Sequence, residues 1–276
     1  MMAWTLATLV LLALLGYGGA CALLYKRQGR LLFPGDGIPF GPFDALSALG
    51  GEAVSGELDG QALRYYKVPA QGGAARAWVL LFHGNRDGAR ERFDFAQQMT
   101  AWGCSVVLAE LPGYAGDPVG STQKSLLRNG LAMADETLRL ADGLPLFCFG
   151  ESLGTAIATY TAMRRPAKGL LLSTPFTSLA AIAKGRYPLI PIDRLITDPM
   201  PAQRWAPHVA CPVLILHGTH DTVVPYAQGR AQALNFRSEP VFVSIEGPGH
   251  SEIRDGFPEL YWGGAQAFIS RCLAAG

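Results

Sequence analysis

A serine between two glycines is the first feature of the chain that could do covalent chemistry. The run GESLG starts at Gly150 and ends at Gly154, directly after the apolar stretch Pro145–Phe149 and directly before a helix-like stretch. A sharp turn between a strand and a helix exposes the hydroxyl of its central serine at the sheet edge, and flanking glycines leave space for that turn. The sequence therefore predicts that Ser152 is a nucleophile.

A serine hydroxyl is a weak nucleophile and needs a general base that is oriented by an acid. Asp221 lies just past the apolar stretch Pro212–Leu216, and His250 follows the last apolar stretch after a Gly-Pro-Gly turn. Open α/β sheets build their sites at the carboxyl ends of the strands, so both side chains could approach Ser152. We predict His250 as the base and Asp221 as the acid; a helix-capping aspartate and an exposed loop histidine are the alternatives.

Acyl transfer also requires N–H donors aimed at the oxygen on which negative charge develops. Leu153 follows the proposed nucleophile, and Asn85 follows the predicted strand Ala77–Phe82, with Gly84 permitting a close backbone approach. The backbone N–H groups of Asn85 and Leu153 are therefore predicted to form an oxyanion hole. His83, between the buried strand and this hole, is predicted to be structural.

Short apolar stretches alternate with longer helix-like stretches after residue 60. Most of the apolar stretches are hydrophobic on both faces, as strands of a parallel sheet covered by helices are. The sequence therefore predicts an α/β fold. The predicted strands are Ala62–Val68, Ala77–Phe82, Ser105–Glu110, Pro145–Phe149, Gly169–Ser173, Pro212–Leu216 and Pro240–Ile245. The predicted helices are Gly88–Trp102, Ser121–Ala141, Leu153–Arg164, Tyr226–Asn235 and Pro258–Leu273.

One segment, at about residues 175–207, interrupts this alternation. Between its end residues, Pro175 and Pro207, it contains four more prolines that one long helix could not accommodate, at positions 188, 191, 199 and 201. We predict broken short helices that form a cap, since long excursions in compact domains are usually lids or binding loops; a plain surface excursion is the alternative. The apolar residues predicted to line an acyl path in this cap are Leu179, Ile182, Leu189 and Ile190.

The N-terminal stretch Ala3–Tyr25 carries no charged side chain over 23 residues. A helix of roughly 20 apolar residues crosses a bilayer, so the stretch predicts a membrane anchor. Lys26, Arg27 and Arg30 follow it at once, which favours a cytoplasmic catalytic domain. Small residues around Cys21 resemble a signal cleavage site or part of a lipidation box, so removal or lipidation with export is the alternative. We predict an anchor and basic flank over residues 1–30, a connector over 31–60 and a catalytic domain over 61–276.

The overall composition excludes several classes of protein. Hydrophobic residues make up 49% of the 276-residue chain and charged residues 16%, which excludes intrinsic disorder and suggests membrane contact. The net charge of +1, without long basic runs, argues against nucleic-acid binding. Five scattered cysteines without a CxxC pair indicate buried thiols, and Cys148 lies in a stretch too apolar for a reactive nucleophile. We predict no metal and no organic cofactor.

Four motifs occur in one order along the chain: FHGN at 82–85, GESLG at 150–154, LHGTHDTVVP at 216–225 and GPGH at 247–250. Together they resemble serine hydrolases of the α/β-hydrolase fold, over about residues 62–273. The apolar start followed by RLLFP is similar to the small, single-span, membrane-anchored branch of that superfamily. The resemblance implies a mostly parallel central sheet with helices on both faces. Members of that branch usually carry Asp-Tyr-Arg-Gly after the fourth strand, where this chain has AELPGY at 109–114.

These observations predict an enzyme that cleaves an ester or thioester, of a lipid or an acylated protein, through an acyl-enzyme at Ser152. Aspartate-nucleophile dehalogenases and epoxide hydrolases share the fold but need an aspartate where this chain has serine. Two alternatives stay open at this point. One is a serine peptidase similar to aminopeptidases, and the other is a catalytically silent, membrane-anchored binding protein.

Overall fold

A single eight-stranded sheet organises the protein. The computed structural model describes residues 2–35, 37–58, 60–117 and 120–275, with the backbone alone for Met2 and Ala3. The strand order is β1-β2-β4-β3-β5-β6-β7-β8, in which β3 to β8 are parallel and β2 is antiparallel to both of its neighbours. The strands are β1 Glu52–Leu58, β2 Gln61–Val68, β3 Ala77–Phe82, β4 Cys104–Ala109, β5 Leu146–Glu151, β6 Gly169–Ser173, β7 Val213–Gly218 and β8 Val241–Ile245.

Helices cover both faces of this sheet because the central strands are apolar on both sides. In β3, Leu80 and Phe82 belong to one core cluster and Val79 and Leu81 to the other. The first cluster includes side chains from α4 and α5, and the second includes side chains from α3 and α10. The helices are α1 Met2–Leu32, α2 Asp44–Ala48, α3 Phe93–Ala101, α4 Gln123–Ala141, α5 Leu153–Arg164, α6 Leu179–Arg186, α7 Ile192–Leu195, α8 Ala202–Trp205, α9 Tyr226–Ala233 and α10 Pro258–Ala274.

The predicted α/β class is confirmed, and the seven predicted strands match β2 to β8 with ends that agree within two residues. The eighth strand, β1, lies inside the range 31–60 predicted as a connector. Most of its residues are at least partly exposed, so it carries no apolar pattern that a strand prediction could use. Backbone pairing with β2 forms it instead, and its Glu52 makes a salt bridge with Lys67 of β2. The connector prediction is therefore corrected at residues 52–58.

The segment from 175 to 207 forms the short helices α6, α7 and α8, joined at prolines. We call this segment the cap. The four apolar residues predicted to line an acyl path have different surroundings. Leu179 and Ile182 pack against the first core cluster, whereas the side chain of Leu189 is 82% exposed and Ile190 lines a groove described below. The cap therefore offers only part of the predicted apolar wall, and Leu189 in particular contributes none of it.

Helix α1 stands against the cap and extends beyond it. It is long and apolar enough to cross a membrane, and no part of its most apolar stretch is buried in the protein. Within the ranges that the structure describes, it is the single helix with this character. The leucines of its N-terminal half, at positions 6, 9, 11, 12, 14 and 15, are exposed.

Candidate active site

Ser152 lies at the junction between β5 and α5, in a backbone conformation that non-glycine residues rarely adopt. Its φ is 49° and its ψ is −113°, and its N–H donates to the carbonyl of Ser173 in the neighbouring strand at 2.9 Å. A Cβ atom at Gly150 would collide with the carbonyl of Gly154, and one at Gly154 would collide with the carbonyl of Phe82. Only glycine fits both positions, so the local sequence forces the serine onto this strained turn.

The structure brings Ser152, His250 and Asp221 into one line of hydrogen bonds. The Oγ of Ser152 is 3.1 Å from Nε2 of His250, and Nδ1 of the same ring is 2.7 Å from Oδ2 of Asp221. The carboxylate accepts from Nδ1–H and thereby leaves Nε2 as the acceptor for the serine proton. Nucleophile, base and orienting acid of a triad require this arrangement, whatever their order along the chain.

The environment of Asp221 keeps its carboxylate ionised. Burial alone would raise its pKa, but hydrogen bonds from His217, His250 and the backbone N–H of Val224 outweigh burial and hold the pKa far below its usual range. Its Oδ1 accepts the backbone N–H groups of Val223 and Val224 at 2.9 and 2.8 Å, while Oδ2 faces His250. Pro225, and not Asp221, is the N-cap of α9, so the helix-capping alternative is not observed; Oδ1 of Asp221 binds a turn and Oδ2 is left for the imidazole.

Sequence reasoning missed the second imidazole beside Asp221. His217, fully buried at the end of β7, has Nε2 at 2.9 Å from the carbonyl of Val224 and at 3.5 Å from Oδ2 of Asp221. Its ring packs so closely against Gly229 of α9 that a Cβ there would collide with it. The HxxxD spacing in HGTHD was the available signal. His217 thus lies beside the predicted acid, whereas the imidazole that contacts Ser152 is that of His250.

The loop after β3 lies directly against the nucleophile. A Cβ at Gly84 would be 3.5 Å from the Cβ of Ser152, and Asn85 lines the same cavity as Ser152. Asn85 is held on two sides, because its carbonyl accepts from the Tyr114 hydroxyl at 3.0 Å and its side-chain amide donates to the carbonyl of Leu32 at 3.3 Å. Leu153 is the first residue of α5, and the first N–H groups of a helix lack partners within it. Both predicted oxyanion donors therefore lie beside Ser152.

His83 is fully buried beneath this loop, in contact with a buried glutamate. Its Nδ1 is 2.7 Å from the carbonyl of Gly84, and its Nε2 is 3.1 Å from Oε1 of Glu110. The other oxygen of Glu110 accepts the backbone N–H of Ala89 at 3.2 Å. Glu110 lies where the resembling branch carries its Asp-Tyr-Arg-Gly stretch, so in this chain a glutamate fixes the loop. His83 has the structural surroundings that the sequence predicts.

A charged cavity opens beside Ser152. It holds about 790 Å³ of space, including the part open to solvent, and polar and charged side chains form much of its wall. Glu151 accepts from Arg92 and lies 3.3 Å from Arg254, which also pairs with Asp94 at 2.9 Å. Burial alone would raise the pKa of Glu151, but the two guanidinium groups hold it below its ordinary value. This cluster connects the elbow to the loop that carries His250, and sequence reasoning missed it.

Other reactive side chains lie away from the site. Cys148 lies in the middle of β5, where burial raises the pKa of its thiol and keeps it protonated. Among the residues that the structure describes, no group of three or more His, Cys, Asp and Glu side chains could hold a metal ion.

Comparison with known proteins shows the family to which this chain belongs. The family described as "Serine aminopeptidase, S33" matches residues 73–196. An uncharacterized protein of Mycobacterium tuberculosis (strain CDC 1551 / Oshkosh) is 30% identical over 244 residues, which are 88% of this chain and 85% of that protein. The chain belongs to the α/β-hydrolase family.

Two further proteins are similar to this chain. The lysophosphatidylserine lipase ABHD12 of Macaca fascicularis is 30% identical over 208 residues, which cover 65% of this chain and 51% of that enzyme. This chain thus spans about half the length of that relative. A soluble variant of monoglyceride lipase from Saccharomyces cerevisiae, solved with a substrate analogue, superposes with a TM-score of 0.65 at 16% identity, covering 84% of this chain and 98% of that one. The structural likeness supports the fold.

Proposed function

We propose that this protein is a serine hydrolase that cleaves a carboxylic ester or thioester through an acyl-enzyme on Ser152. The single observation that carries the proposal is the continuous line of hydrogen bonds from Asp221 through His250 to Ser152 on a strained elbow. His250 takes the serine proton as Oγ attacks the acyl carbon, and the N–H groups of Asn85 and Leu153 bind the oxyanion. The same imidazole then protonates the leaving group and later activates the water that releases the acid.

An ester or thioester fits the site better than a peptide does. An aminopeptidase needs a free carboxylate to receive the substrate amine, and the glutamate nearest the nucleophile, Glu151, is neutralised by Arg92 and Arg254. Asp87 lines the same cavity beside Arg86. The similarity to a lysophosphatidylserine lipase and to a monoglyceride lipase supports the ester proposal. The family description as a serine aminopeptidase supports the second candidate.

A panel of short- and long-chain acyl esters, acyl thioesters and aminoacyl amides separates these candidates. We expect kcat/KM for the best ester or thioester to exceed that for every aminoacyl amide at least tenfold, because the carboxylate of Glu151 is paired with Arg92 and Arg254 and so is not available to a substrate amine. Fastest turnover of the amides would establish the peptidase instead. A folded protein that turns over none of the panel and is not labelled by a fluorophosphonate probe would be a silent binding protein.

We further propose that α1 anchors the enzyme in a membrane, with the catalytic domain on the cytoplasmic side. The length and apolar surface of α1 support the anchor, and Lys26, Arg27 and Arg30 at its C-terminal end support the orientation.

The full chain should fractionate with membranes and resist extraction by high salt and by alkaline carbonate, since apolar burial rather than charge holds such a helix. Fractionation followed by immunoblotting measures this, and extraction by mild detergent is the positive control. A mature chain that begins at Cys21 or Leu23 by intact mass spectrometry would show instead that the helix is removed and the enzyme exported.

A further inference from the structure

A second cavity lies between the C-terminal half of α1 and the cap, and we call it the α1–cap groove. It holds about 460 Å³ of space, including the part open to solvent. Its wall is almost entirely apolar. The residues that form most of this wall are Leu24, Leu31 and Leu32 of α1 and Ala183, Ile190 and Ile192 of the cap.

The amide of Gln28, a polar group in this wall, is already satisfied. Its Nε2 donates to the carbonyl of Leu195 at 3.0 Å, and its Oε1 accepts the N–H of Thr197 at 2.9 Å. Because both ends of the amide bind the backbone of the cap, they hold α1 against it and offer little to a polar ligand. An occupant of the groove must therefore be apolar.

The inner end of the groove adjoins the catalytic cavity. Leu32 lines the groove, and its carbonyl accepts from the side chain of Asn85 at 3.3 Å. Asn85 in turn lines the catalytic cavity together with Ser152 and is a predicted oxyanion donor. One residue contact thus separates the apolar groove from the place where an ester carbonyl would bind.

The outer end of the groove reaches the part of α1 that is predicted to span the membrane. The hydroxyl of Tyr17 donates to the carbonyl of Leu189 at the tip of the cap, at 2.8 Å. Tyr17 lies eight residues before Tyr25, the end of the predicted span, which is about 12 Å along a helix axis. Leu189 and the leucines of α1 beyond this contact are exposed. A bilayer around α1 would therefore also cover the tip of the cap and the mouth of the groove.

We propose that the α1–cap groove binds the acyl chain of a membrane lipid ester and brings its carbonyl to Ser152, while the charged cavity receives the polar alcohol. This inference rests on the proposed function and extends it. Three features of the groove point to this occupant: it is apolar, it opens where α1 would meet lipid, and it ends beside the loop that carries Asn85. The anchor helix thereby forms one wall of the substrate site.

The first test measures kcat/KM of the full-length protein in detergent micelles across p-nitrophenyl esters from four to twelve acyl carbons. Each methylene buried in the groove should raise kcat/KM about threefold to fourfold until the groove is full. Ala183→Phe fills the groove and should lower the ratio of the twelve-carbon to the four-carbon ester at least tenfold. Ala267→Phe adds the same bulk at an exposed position of α10, outside α1 and the cap, and should keep the wild-type ratio. An unchanged ratio in folded Ala183→Phe would overturn the groove as the acyl site.

The second test does not depend on turnover. Full-length Ser152→Ala protein is irradiated with a diazirine-bearing sixteen-carbon fatty acid, and cross-links are mapped by mass spectrometry. We expect them in the segments 24–32 and 183–196, and cross-links confined to other segments would overturn the inference. If Ser152→Ala retains wild-type turnover, the proposed function fails, while the cross-links still decide the groove. If turnover needs Ser152 but the groove stays unlabelled, only the groove assignment fails.

Discussion

Replacing Ser152 or His250 with alanine is expected to lower kcat at least a thousandfold, and the double variant is expected to be no slower than the slower single variant. Nucleophile and base act as one unit, since the imidazole at 3.1 Å has no function without the hydroxyl, and the hydroxyl is weak without the imidazole. Asp221→Asn should retain slightly more activity than these variants, because the asparagine still contacts the imidazole of His250. It should favour the wrong tautomer of that imidazole, so most of the activity is still lost. The measurement is kcat on a short p-nitrophenyl ester, with fluorophosphonate labelling to count intact sites.

His220→Ala is the matched control for this series. His220 lies beside Asp221 in the sequence but is exposed, and it takes no part in the line of hydrogen bonds described above. Its loss should change kcat less than threefold. A folded His250→Ala protein that keeps more than a tenth of wild-type kcat would contradict the assignment of the base.

Glu151→Gln should lower the free energy of unfolding by about 3 kcal/mol, because it leaves two guanidinium groups without their shared counter-charge. The side chains of Glu151 and Arg92 are 14% and 12% exposed, so solvent screens this loss only weakly. For a protein of this size the loss corresponds to a fall in Tm of about 6–12 °C. Thermal unfolding in detergent, followed by circular dichroism, measures it.

The loss of stability in Glu151→Gln is expected to depend on pH. The pKa of Glu151 is lower in the folded protein than its ordinary value of 4.5, so its ionisation contributes stability above pH 4.5 that is lost as pH falls through the folded pKa. The difference between wild type and Glu151→Gln should therefore shrink below about pH 4. Glu52→Gln is the control, because the carboxylate partner of Lys67 is 63% exposed and its loss should cost less than about 1 kcal/mol. Equal effects of the two substitutions would contradict the prediction for Glu151.

The sequence predicted those features that depend on local apolar patterns and on residues at strand ends. The buried strands are continuous apolar runs, and Ser152, Asp221 and His250 each follow such a run, so the sheet had to bring them to one edge. Strand β1 was not predicted, because a strand that forms through backbone pairing at a sheet edge leaves no apolar pattern in the sequence. The contact of His217 with Asp221 was missed although its HxxxD spacing is local. The Glu151 cluster was missed because Arg92, Glu151 and Arg254 are far apart in the sequence and meet only through tertiary packing. The contact of α1 with the cap escaped for the same reason.

The order of the strands has a consequence for how the enzyme arises during protein synthesis. β5 joins the sheet beside β3, and β6, β7 and β8 then join in chain order, each beside the strand made just before it. Ser152 comes after β5, but His250 is made 98 residues later, after the last strand. At about 5–20 residues per second, the ribosome needs roughly 5 to 20 seconds to cover that distance. A nascent chain therefore carries its α1 helix and its nucleophile well before it carries a base, and hydrolytic capacity is the last property that it acquires.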